Sequence, residues 1–207
     1  MDFASFDKYL EKIATDAYPR SESPQSGALF KKLMDSIEQP ALSDAGLDLQ
    51  ARMEMSIQLQ ANFGNILKRY GTAHLSGGQY EEEIAQLQGG TLTVTPQLMT
   101  LVDEFLPTIS KDDPTYGIRM KGLDQLKNGV AMVMKGLTVS LAEKRGFSDE
   151  QRKTMMEYLL KEGPQILSSL PESFQQEMRV TIRNLLSDEK DQGIKADLEQ
   201  FLEVTKD

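Results

Sequence analysis

The chain contains no cysteine and no tryptophan, and only one histidine in 207 residues. Each scarcity removes a chemistry. Without cysteine there is no disulfide, no thiolate nucleophile and no cysteine-ligated zinc or iron–sulfur centre. A lone histidine, His74, cannot build a multi-histidine metal site, and the Glu-x-x-His pairs of di-iron bundles are missing. No basic run is longer than two residues. A protein that grips a phosphate backbone normally carries a basic stripe, so nucleic-acid binding is not expected. No apolar run approaches the roughly eighteen residues that a membrane span needs. The opening MDFASFDKYLEK lacks a basic stretch leading into an apolar core, so it does not read as a secretory leader. These exclusions lead to an expected cytoplasmic protein that binds neither nucleic acid nor membrane.

What is present suits a folded domain. Apolar residues make up 39% of the chain and charged ones 27%, enough for a core and a solvated surface. The net charge of −9, from 23 basic and 32 acidic residues, favours solubility first and docking onto a basic partner second.

Periodicity points to helices. Phe3, Phe6, Leu10 and Ile13 stand at helical spacing, with Asp7, Lys8, Glu11 and Lys12 between them. The segment PRSESPQS follows and reads as a linker. The organisation is therefore an amphipathic N-terminal helix over residues 1–18, a linker over 19–26, and one helical domain over 27–207. A second helix, near 26–38, carries Leu29, Leu33 and Ile37 and ends before Pro40.

Two segments are ambiguous. From Leu47 to Phe63 every odd residue is apolar, which is the period of a strand. The residue types are helix formers, however, and the run is long for a strand. A helix is preferred, capped by Ser43 or Asp44 and buried all round because its apolar residues fall on every side. In IAQLQGGTLTVT, residues 84–95, Gly89-Gly90 suits a hairpin turn that pairs Leu87 with Leu92. A helix ending at the glycines, followed by an extended strand, fits equally well.

From Pro96 onward the pattern is helical. Asp113-Pro114 reads as a helix start, Ser148 to Gln151 as a capping box, and Pro164 and Pro171 as two further starts. The expected fold is predominantly α, a compact bundle of about seven to nine helices with at most one β-hairpin. The alternative is an α+β fold with a long strand at 47–63.

No motif specifies a reaction. The run SDEKDQGIKADLE matches a calcium loop at Asp188, Gly193 and Glu199, but Lys190 stands where a carboxylate should coordinate, so no calcium binding is expected. Glu81, Glu82 and Glu83 point in different directions and read as a solvated helix start. The glycines at 71, 77 and 78 match neither a phosphate loop nor a dinucleotide fingerprint. Neither cofactor nor metal is implied. The eleven methionines are first of all core filling and second an adaptable contact surface.

The clearest unexplained feature is Gly122, Gly129 and Gly136, spaced by seven in an otherwise helical stretch. Seven residues make about two turns, so the three share one side of a helix. Asn128-Gly129 is a turn signal, but Leu123, Leu126, Val130, Val133 or Met134, Leu137 and Leu141 hold an unbroken apolar stripe across it. The reading is a continuous central helix reaching Gly146, with a glycine row that admits a close backbone.

The leading functional expectation is a non-enzymatic interaction protein (an adaptor, inhibitor or immunity-type antagonist) with an acidic helical surface. Its contact residues are Gly129, Gly136, Met132 and Met134, and its partner is another protein or itself. The alternatives are a ligand-binding regulator with a methionine-lined pocket, and an enzyme using carboxylates with His74.

Overall fold

A computed structural model describes residues 3–35, 46–142 and 146–206. Among them are eight α-helices and no strand. In order these are α1 (Phe3–Leu10), α2 (Gly27–Asp35), α3 (Leu49–Leu75), α4 (Glu81–Phe105), α5 (Tyr116–Ser140), α6 (Asp149–Ser168), α7 (Glu172–Asp188) and α8 (Gln192–Val204). Short 3-10 turns occupy Thr15–Ala17 and Leu106–Thr108. The expected helical bundle is thus the observed one.

The central element is α4. It packs most extensively on α3 along one side and on α6 along another, and it also touches α5. Residues 84–102 carry no charge at all, so this helix has no side that demands water. Neither reading of 84–95 survives. The helix passes unbroken through Gly89-Gly90 and through Pro96. Gly89 faces α6, and a Cβ placed there would run into the Tyr158 ring. Thr91, Thr95 and Thr100 turn their hydroxyls back onto the carbonyls of Leu87, Thr91 and Pro96. A threonine-rich stretch can thereby stay helical and buried without orphaned hydroxyls.

The apolar interior has three parts. The largest joins α4, α5, α6, α7 and α8 around Leu92, Met134, Met155, Leu159, Ile166 and Phe201. The second joins α1, α2, α3 and the start of α4 around Phe6, Phe30, Phe63, Ile66, Tyr70 and Tyr80. A small third part gathers Leu98, Val102, Ile109 and Leu123 where α4 hands over to α5.

The N-terminal helix is docked. Phe6 and Leu10 are buried, and Arg69 on α3 reaches both Asp7 and Glu11. The stretch after it is pinned as well. Tyr70 donates to the Pro19 carbonyl at 2.7 Å, and Glu83 accepts from the Ser21 backbone at 2.5 Å and its hydroxyl at 2.7 Å. Glu83 is therefore buried as an anchor and not part of a solvated helix start.

Several sequence expectations need correction. Residues 47–63 are helical, but α3 starts at Leu49 with Asp48 as its cap, accepting from Ala51 at 2.8 Å. The proposed caps Ser43 and Asp44, like Ile37 and Pro40, lie outside the described residues. The segment 47–63 is not buried all round: Leu47, just before α3, and Met55 and Ile57 within it are exposed. Period-two spacing spreads apolar residues over every side of a helix, whereas neighbours cover only part of it. Asp113-Pro114 forms a turn in which Asp113 accepts from Thr115, so α5 begins two residues later. Pro164 lies inside α6, which runs through to Ser168. The Ser148–Gln151 capping box is present.

Candidate interaction surface

The helix α5 is continuous across Asn128-Gly129 and ends at Ser140, short of the expected Gly146. It is a flanking helix and not the central one. Its stripe of Leu123, Val130, Met134 and Leu137 is buried against α4, α6 and α7, as the 3–4 spacing requires. Two contacts fix its C-terminal end. Gln88 on α4 donates to Ser140 at 2.9 Å. Arg152 on α6, itself buried, donates from Nε to the Leu141 carbonyl at 2.8 Å and from its terminal nitrogens to Asp149 and to the buried Glu189.

Among the described residues, nothing covers the opposite side of α5. Ile118 is 75% exposed, Met132 69% and Val139 40%. Cβ atoms built on Gly122, Gly129 and Gly136 would meet nothing within 4 Å. The glycine row therefore serves no close approach among the described residues. Taken with the glycines, the exposed residues form one row, Ile118, Gly122, Gln125, Gly129, Met132, Gly136 and Val139, at alternating spacings of four and three. That is the a/d register of a helix seam, with glycine at every a position.

Two grooves border the row. One, of about 590 Å³, lies between α3 and the first half of α5 and is lined by Met53, Ile57, Phe105, Gly122, Leu123 and Leu126 among others. The other, of about 490 Å³, lies between the end of α5 and α7 and is lined by Val139, Ala142, Leu185 and Asp188 among others. Neither gathers methionines: the first has only Met53 and the second has none. The α5 helix carries Arg119, Lys121, Lys127 and Lys135 against one carboxylate, Asp124, so the acidic balance of the chain does not extend to it.

The predicted site residues separate. Gly129, Gly136 and Met132 share the open side, while Met134, two residues on, is fully buried in the core. His74 is far along the chain, in the last turn of α3. Its Nδ1 lies 3.0 Å from the Gly78 carbonyl, to which it donates, and 3.9 Å from Glu81. That bond ties the helix end to the loop after it. Asp188, Gly193 and Glu199 form no calcium loop, because α8 begins at Gln192 and leaves only a short turn. Among the described residues no group of three or more His, Asp or Glu could hold a metal ion, and no helix is long and apolar enough to cross a membrane.

The sequence reading missed Ile118 and Val139, which complete the exposed row. Continuing the 4–3 count outward from the glycines reaches both. No known protein family matches this chain, and no curated protein or solved structure is similar to it. The fold and the open side of α5 are therefore the basis for a functional reading.

Proposed function

We propose that this chain is a non-enzymatic interaction protein that docks through the outward side of α5. The observation that carries the reading is the exposure of Ile118, Met132 and Val139 in one register on a helix whose other side is fully packed. Single exposed apolar residues are ordinary, but a row of them in seam register beside two apolar grooves has the character of a contact surface. The helix is locally basic, so a partner must set polar or acidic groups, and not cations, opposite Lys121 and Lys135. Glycine at the a positions lets a facing helix approach to about 8 Å.

The test is affinity capture from native lysate with the wild-type chain and with Met132→Lys. The reading expects a protein retained by the first and lost by the second, at equal melting temperature. Equal recovery by both, or recovery of apolar small molecules with no protein, would contradict it.

A further inference from the structure

Resting on that reading, we propose that the occupant of the α5 surface is a second copy of the same chain, paired antiparallel about a two-fold axis. The argument comes from register. In an antiparallel helix pair, a positions of one helix meet d positions of the other. Centring the axis between Gly129 and Met132 sets Gly129 against Met132 of the second copy. It also sets Gly122 against Val139 and Gln125 against Gly136, and the symmetry makes each pairing twice. The three layers from Gly122 to Val139 then each set a glycine against a longer side chain, Met132, Val139 or Gln125, while Ile118 comes opposite residue 143, outside the described residues. A parallel pair would instead stack glycine on glycine and Met132 on Met132, leaving gaps in one layer and crowding in the next.

The borders agree with the same axis. On one flank Leu126 comes opposite Val133, and on the other Asn128 comes opposite Lys135, so no like charges meet. Lys121, exposed on the α7 side of the row, comes opposite Ala142 of the second copy. That position lines the groove whose rim holds Asp188, which supplies the complementary charge. Val139 of the second copy, facing Gly122, falls at the groove formed by Met53, Ile57 and Phe105. The two grooves, at opposite ends of one helix, are thereby each closed by the other copy.

The row from Ile118 to Val139 is about 32 Å long and one helix wide, about 10 Å. That is well short of the roughly 800 Å² per partner of a standard interface. Closure of the grooves must contribute, and the dimer should form in a concentration-dependent manner.

The first experiment is light scattering over a dilution series. Wild type should rise from 23.2 kDa towards twice that mass, while Met132→Lys stays at the single-chain mass with an unchanged melting curve. The second uses the absence of native cysteine. A mixture of Gln125→Cys and Gly136→Cys chains should yield a mixed disulfide dimer, and neither chain should crosslink to itself, because like positions lie about 16 Å apart along the axis. Self-crosslinking of each variant would overturn the antiparallel register. A dimer mass with no crosslink would place the interface elsewhere. A wild-type chain that stays monomeric at millimolar concentration removes the second copy. If Met132→Lys then still loses a captured protein, the broader interaction reading stands alone. If it loses nothing, both readings fail.

Discussion

Glycine has two opposite roles in this chain, and the surroundings of each residue decide which. At Gly89 an added methyl would press into the Tyr158 ring, and at Gly163 it would meet Phe201 at 2.8 Å. At Gly129 and Gly136 it would meet open space. The same substitution should therefore change sign between sites. Gly89→Ala should cost about 1–3 kcal/mol through overpacking. Gly129→Ala and Gly136→Ala should each stabilise the single chain by up to roughly 1 kcal/mol through helix propensity. Urea unfolding at low protein concentration measures both. A destabilised Gly129→Ala would mean that something within the chain already occupies that side.

This contrast also shows what was legible from residues alone. The spacing of the α5 glycines and the buried stripe beside them could be counted in the sequence. The sequence reading placed Met134 with Met132 on the contact surface although Met134 also fell on that stripe, and only the packed helix separates the two. Gly89-Gly90 could not be resolved, because a turn glycine and a glycine that admits a crossing ring look identical until the crossing helix is placed. The uncharged run 84–102 was the available sign that α4 is the buried centre. The β-propensity of threonine obscured it, an effect that hydroxyl back-bonding offsets in the folded helix.

Two elements depend on a carboxylate. The end of α5 and the turn between α7 and α8 are joined through Arg152, whose guanidinium is buried with Glu189. Arg152→Met alone leaves a buried carboxylate without its cation and should cost about 3–5 kcal/mol. The double variant Arg152→Met/Glu189→Met should recover much of that loss. Denaturant midpoints of the three proteins decide it, and equal losses in the single and double variants would mean that Glu189 carries no burden of its own. At α8, Asp191 accepts from the Ile194 amide at 2.9 Å and from Lys153 at 3.1 Å. The amide first and the lysine second hold its carboxyl below the ordinary aspartate range. A carboxyl lowered in the folded state stabilises above its unfolded pKa of about 3.9 and loses that contribution as pH falls through the lower folded value. Asp113 behaves likewise through Thr115, whereas burial raises Asp197 and gives the opposite slope. Asp191→Asn should retain the cap and flatten the acid limb of a stability–pH curve. An unchanged limb would remove Asp191 from the account.

At the scale of the whole molecule, the large apolar side chains left exposed among the described residues are Ile118, Met132 and Val139 on α5, Leu47, Met55 and Ile57 around the start of α3, and the scattered Leu75, Val180 and Val204. The N-terminal helix shows the closed pattern. It covers Phe63 and Ile66 with Phe6 and Leu10, and burial of each such side chain is worth roughly 1.5–3 kcal/mol before ordering entropy. Deleting residues 1–18 should lower the melting temperature without changing which side of α5 is open. Unchanged stability would show that the helix adds nothing to the body. The open side is tested most directly by methionine oxidation read by mass spectrometry. Met132 is exposed, and Met134, two residues away, is an internal control buried in the core. In dilute solution Met132 should oxidise readily and Met134 slowly. In the assembled state Met132 should be protected, while Met134 stays slow. A Met132 that oxidises at one rate in every state, alone and assembled, would contradict the claim that this side of α5 is a contact surface.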